Sequence, residues 1–165
     1  MNTNRVARLA GVSVGSLYQY FPNKDALIEQ VRTELRDRFF GGFVEWIGRL
    51  GTLDPRTALR LLVELQVRLH AEAPGVHHAL GTGNPAEGQQ VMRGVLTSYL
   101  EARAQAIRRP DPSLAARIVL DTSEALIHTT SLRDPELLED PRWVEEVCDL
   151  LERYLVPEVK GRADA

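Results

Sequence analysis

Between Ser13 and Lys24 the chain sets out a dense run of hydrogen-bonding side chains: Ser13, Ser16, Tyr18, Gln19, Tyr20 and Lys24, with Val14 and Gly15 among them. These residue types suit recognition better than bond-making. A glutamine amide offers a donor and an acceptor side by side and can pair with adenine through two hydrogen bonds, and a valine can touch a thymine methyl. Serine and tyrosine hydroxyls, a lysine ammonium and the amides of a helix start all suit phosphate oxygens. A glycine lets the backbone come close to whatever is recognised. Gly11-Val12-Ser13-Val14-Gly15 also fits the G-x-S-x-G pattern of a hydrolase nucleophile. That pattern requires a strand before the serine and a sheet beneath it. Here a helical segment precedes it and no alternating strand pattern occurs, so it reads as a turn, and no enzyme is expected.

The elements that would position these side chains are short. Arg5 to Ala10 is helix-compatible with apolar Val6 and Leu9, and Gly11 supplies the permissive backbone that closes such a helix. Ser13 is a suitable N-cap for a second helix, Val14 to Tyr20, whose buried face carries Leu17. Pro22 ends it, because the residue before a proline is pushed out of the helical region. Asn23 then caps a long third helix. Two short helices around a glycine turn form a helix-turn-helix, whose second helix enters the major groove.

Ala10 to Lys24, AGVSVGSLYQYFPNK, resembles the signature of the TetR family of transcriptional regulators (TetR/AcrR-like). Val6 and Ala7 take that pattern's leading Ile-Ala positions, Ser16 stands for its common Thr and Asn23 for its common Ser. The resemblance implies that Ser13, Tyr18, Tyr20 and Lys24 hold phosphates of a double-stranded, palindromic DNA operator. The outward base-reading positions would be Val14, Gly15, Ser16 and Gln19. Such domains begin with a further helix, and Met1 here falls where the family's second helix starts. The expectation is a misplaced start or a truncated chain, with an in-frame upstream stretch encoding an amphipathic helix of about 15 residues.

Charge supports one end as the DNA-facing one. Residues 1–24 carry Arg5, Arg8 and Lys24 and no acid, whereas the whole chain has a net charge of −3. A basic head on an acidic body suits such a protein. Its 165 residues and 44% hydrophobic content support a packed core. The composition and the missing strand pattern imply an all-α fold. No apolar run is long enough for a membrane span. Cys148 is the single cysteine, so no intrachain disulfide can form, a cytoplasmic setting fits, and the thiol reads as structural.

Residues 1–41 read as the DNA-binding domain and 42–165 as a helical ligand-binding and dimerisation domain. The third helix, to about Leu50, has an apolar stripe from Leu27 to Ile47. Gly41-Gly42 interrupts it, as a hinge or as a site of close helix packing. Asp or Asn before proline opens helices at Asp54-Pro55, Asn84-Pro85, Asp111-Pro112 and Asp140-Pro141. The expected spans are 55–73, 85–108, 112–130 and 141–155, with a short piece near 75–81 and a loop over 131–139. Helix 55–73 is apolar nearly all round and belongs in the middle of a bundle.

The last two helices have wide apolar faces including Leu114, Ile118, Val144, Val147, Leu151 and Tyr154. The resemblance implies that they form a homodimer interface; the other reading is internal core. A pocket for a small hydrophobic effector is expected among Phe43, Trp46, Leu62, Gln66, His70, Met92, Tyr99, Asp121, Glu124 and His128. Asp121, Glu124 and His128 are the polar trio on one otherwise apolar helix, serving either a ligand or mutual salt bridges and dimer hydrogen bonds. His70, His77 and His78 lack metal-like spacing with acids or cysteine, so no metal and no cofactor is expected. The chain therefore reads as a homodimeric DNA-binding regulator, a repressor released by ligand, or else a truncated dimer that binds ligand but not DNA.

Overall fold

The computed structural model describes residues 2–72 and 85–157. Among them all regular structure is helical. The expected piece near 75–81, with His77 and His78, lies outside the described residues.

Helix α1, Thr3–Leu9, starts two residues before the expected position because Asn2 caps it, its Oδ1 accepting from the Asn4 and Arg5 amides. It closes on Gly11, whose φ of 69° is the left-handed conformation that glycine adopts without strain. The Gly11 amide then donates to the Arg8 carbonyl and Val12 to the Ala7 carbonyl, which satisfies the last turn. Helix α2, Val14–Tyr20, is capped by Ser13 and ends at Phe21, extended at φ −126° before Pro22. Helix α3, Lys24–Leu50, begins with the Ala26 amide donating to Asn23 Oδ1 at 2.8 Å.

Two compact units result, Met1–Arg38 and Phe39–Ala165. In the first, Ala7, Leu17 and Leu27 form a small core with Val6 and Phe21 packed against it. Leu9, paired with Val6 in the expected apolar face, is instead 79% exposed. Ala7 is the buried residue of α1, and Leu9, two residues on, lies on nearly the opposite side of the helix.

In the second unit, α4 spans Pro55–Glu72, α5 Pro85–Glu101, α6 Pro112–Arg133 and α7 Pro141–Leu155. The Asx-Pro device works at three described starts. Asp54 accepts from the Arg56 and Thr57 amides, Asp111 from Leu114 and Asp140 from Arg142. The Thr57 hydroxyl, 2.6 Å away, is the main reason the Asp54 carboxyl sits below the usual carboxylate range. Helix α4 is the hub, packed against α6 and α7. Its Ala58, Leu59, Leu62, Val63, Leu65, Val67 and Leu69 are all buried. Trp46 from α3 stacks on Phe43 and donates its indole N–H to the Ala58 carbonyl. Cys148 is buried on α7, and burial pushes its thiol up to about 11, as befits a packing residue rather than a nucleophile.

Two expected boundaries move. Helix α5 stops at Glu101, not 108, and a 3-10 turn follows at Ala104–Ala106. The cause is Arg103, which lies over the Tyr99 ring at 4.1 Å and donates to the Gly51 carbonyl at 2.8 Å, turning the chain back. Helix α6 runs to Arg133, and the expected loop is largely a 3-10 helix, Pro135–Glu139, pinned by buried Leu138.

The domain boundary expected at 41/42 followed from Gly41-Gly42, but α3 stays helical through both glycines and the division falls between Arg38 and Phe39. A Cβ on Gly41 would meet nothing within 4 Å, whereas one on Gly42 would lie 2.6 Å from Leu65 Cδ1 on α4. Gly42 thus permits close helix approach. Gly41→Ala should add up to about 1 kcal/mol of stability through helix propensity. Gly42→Ala should lose about 1 kcal/mol or more by overpacking buried Leu65. Urea unfolding of both variants checks this, and equal gains would contradict it.

Candidate functional site

The exposed surface of the first unit is set by α2. Leu17 points into the small core, which obliges the residues on its other sides to face outward. Ser13, Val14, Gly15, Tyr18, Gln19, Tyr20 and Lys24 are exposed and Ser16 is half-buried. Tyr20 is 80% exposed, and the Tyr18 hydroxyl lies 3.3 Å from Thr3 Oγ1 on α1. Thr3 escapes a reading of the sequence because α1 is expected to begin after it. Ser13 also serves its own helix, since its Oγ accepts from the Ser16 amide at 2.9 Å and lies 2.8 Å from Ser16 Oγ. The G-x-S-x-G stretch is the junction of α1 and α2, with helix on both sides of the turn. A Cβ on Gly15 would meet only Ser13 Oγ at 3.7 Å, an ordinary contact, so packing within the unit does not demand glycine there.

Two family models match the chain. Residues 1–31 match the bacterial regulatory proteins of the tetR family, and residues 54–155 match the tetracyclin repressor-like C-terminal domain. The chain belongs to the TetR family. It is accordingly a helix-turn-helix, DNA-binding transcription regulator. Members of the TetR family bind DNA operators and act as dimers with small-molecule effectors. No curated protein matches the chain. No helix among the described residues is long and apolar enough to cross a membrane.

The residues expected to line an effector pocket separate into three groups. Phe43, Trp46, Leu62, Met92 and Tyr99 are core residues, and the Tyr99 hydroxyl donates to the Leu53 carbonyl. Asp121 is exposed and turned to Arg117 Nε at 3.3 Å, one helical turn earlier, so it does not join Glu124 and His128. Gln66, His70, Glu124 and His128 form the remaining polar set. His70 from α4 approaches Glu124 Oε1 at 3.6 Å, and its ring meets that of His128 edge-on at 6.0 Å. Burial opposes charge on His70, yet the Glu124 carboxylate and the Gln66 carbonyl outweigh it and leave the imidazole pKa above its usual 6.5. Gln66 Oε1 is buried and has no hydrogen-bond partner among the described residues. A separate groove of about 100 Å³ between α3 and α4 is lined by Trp46 with Glu45, Arg49, Glu64 and Arg68. Its charged lining is not that of a hydrophobic ligand site, and only Trp46 of it was expected.

The expected dimer residues also divide. Val147 and Leu151 are buried within the chain, on the stripe that α7 packs against α4. Ion pairs hold that packing, Arg60 to Glu145 in a two-pronged contact at 2.8 Å and Arg56 to Glu152 at 2.7 Å. Within one chain these two positions are core. Leu114 is 53% exposed, and Ile118, Val144 and Tyr154 are half-buried. Leu132 and Leu150 are exposed as well, and Leu132 was not among the expected residues. The available signal was the spacing of Leu114, Ile118, Ala125 and Leu132, four and then seven apart along α6.

Ser13 offers a test that separates folding from recognition. Ser13→Ala should cost about 1 kcal/mol by uncapping α2, and Ser13→Asp should keep that cap. The aspartate would nonetheless repel phosphates and weaken DNA binding. Thermal unfolding and a DNA titration on both variants read the two effects; an aspartate variant that binds DNA as well as the parent would remove Ser13 from the interface.

Proposed function

We propose that the chain is a homodimeric repressor that reads a palindromic operator through α2 and is released by a small effector bound in its helical body. The observation that carries the DNA reading is the outward set on α2, Val14, Gly15, Tyr18, Gln19 and Tyr20, around an inward Leu17. Gln19 reads an adenine through paired hydrogen bonds, Val14 and Ser16 adjoin the neighbouring bases, and Gly15 admits close approach of the helix. Ser13, Tyr18, Tyr20 and Lys24 anchor phosphates without reading sequence.

The stripe of Leu114, Ile118, Ala125 and Leu132 on α6, with Leu150 and Tyr154 on α7, supports dimerisation. Single exposed apolar side chains are ordinary, but a spaced row of them makes a seam. One head makes few contacts, and a two-fold dimer doubles them on a two-fold site. The effector reading is best supported at Gln66, His70, Glu124 and His128, where a buried acceptor and ionisable groups meet an otherwise apolar core. An effector there acts by binding one state of the dimer more tightly than another.

Selected operator fragments provide the direct test. Gln19→Ala should cost about 1–3 kcal/mol at one base pair, leaving other positions and the salt dependence unchanged. Equal loss on every sequence would make Gln19 a backbone contact instead. Leu114→Glu with Leu150→Glu should convert a dimer to a monomer in sedimentation experiments. A wild-type chain that is already monomeric, or a double variant that stays dimeric, would remove the seam.

A further inference from the structure

The cluster formed by α4 and α6 has the composition of a metal site. Nε2 or Nδ1 of His70, a Glu124 carboxylate oxygen and a His128 ring nitrogen all lie within 4.8 Å of one another. Glu124 and His128 are four apart on α6 and share a face, while His70 comes from the neighbouring helix α4. His70 Nδ1 lies 2.8 Å from the Gln66 carbonyl. That contact is a hydrogen bond only if Nδ1 carries the proton, which makes Nε2 the lone-pair nitrogen in the neutral ring. Nε2 is the atom that faces Glu124, at 3.6 Å. A histidine held through one nitrogen by a carbonyl, with the other aimed at a carboxylate, is the arrangement that orients an imidazole toward a metal ion.

We propose that His70, Glu124 and His128 bind a divalent transition-metal ion of the zinc, cobalt and nickel class, with water or an anion completing its coordination. This rests on the effector reading of the preceding section and gives that effector a chemical class. It also departs from the expectation of no metal, which weighed His70 only against its neighbours in sequence.

Three considerations select this occupant. Two imidazoles and one carboxylate suit borderline ions, whereas calcium and magnesium require mostly oxygen donors. Donors about 2.0–2.2 Å from a tetrahedral ion stand roughly 3.4 Å apart, so the cluster needs to close by up to about 1.4 Å. The Glu124 side chain is 43% exposed and can swing, while His70 is fixed by packing at 6%. An ion pair between His70 and Glu124 is the competing account. Its 3.6 Å separation exceeds the roughly 2.7–2.9 Å of a direct charged hydrogen bond, and the titration below separates the two accounts. Partial exposure of Glu124 and His128 gives an ion a route in, and buried His70 gives it a rigid anchor.

Chelator-treated full chain titrated with cobalt(II) provides the test, read by visible absorption and by competition with zinc. The expected result is one ion per chain and a rise in Tm with zinc. His128→Gln should weaken binding by about a hundredfold or more, since even outer partners of a metal site cost about 10–100-fold. His70→Gln should do the same where circular dichroism shows that it folds; half-buried His128 keeps the test decisive if it does not. A variant with His77 and His78 both changed to Ala should bind as the parent does. Absence of a cobalt band and of a Tm shift overturns the proposal in favour of the ion pair. So does a band that survives His128→Gln, or one lost with His77 and His78. Uptake is read on the protein alone, so a chain that ignores DNA can still bear out the site, and a chain that binds DNA but no cobalt refutes it.

Discussion

Helix α4 buries most of its circumference and leaves in water the strip that carries Thr57, Glu64 and Arg68. Leu59, Leu62, Val63, Leu65, Val67 and Leu69 are all buried. Each such side chain favours burial by about 1.5–3 kcal/mol, which together outweighs any single polar contact in the unit. The neighbouring helices must therefore cover its other sides. The C-terminal part of α3 delivers Phe43 and Trp46, α6 delivers Ala116 and Val119, and α7 delivers Val147, Cys148 and Leu151 to the same cluster. The paired arginines Arg56 and Arg60 mark the edge of α4 where α7 crosses it and meet Glu152 and Glu145 there.

The same constraint explains the polar cluster. The broad buried side of that helix carries some of its polar residues inward with it. Gln66 and His70 are 3% and 5% exposed, and they can be satisfied only by what the neighbours provide. The Gln66 carbonyl and Glu124 answer His70, while Gln66 Oε1 has no partner among the described residues. Where leucine could have closed this part of the core, His70 instead meets partly exposed Glu124 and His128. Buried polar groups weaken a core unless paired.

The first unit obeys a different rule. Its core is only Ala7, Leu17 and Leu27 with two helpers, so local backbone chemistry carries much of the specification. Asn2, Ser13 and Asn23 cap three successive helices, Gly11 turns the chain at φ 69°, and Pro22 stops α2. Each of these signals acts within a few residues. That is why the sequence alone places α2 at Val14–Tyr20 with both ends correct, and why the exposed side of α2 is legible in it.

Local rules also explain what the sequence determined in the second unit: the helical class, the Asx-Pro starts at 54, 111 and 140, and the central place of α4. Capping and periodicity involve residues less than a turn or two apart, so they are written in order along the chain. What only the tertiary structure decided are matters of distance between helices. Arg103 reaches Gly51 where α5 ends, and α4 claimed Val147 and Leu151 and left Leu150 outside. Likewise nothing in the spacing of residue 70 relative to 124 and 128 could show that their side chains meet. Helix periodicity says which residues share a face, but which neighbour that face turns to is settled by packing the whole core at once.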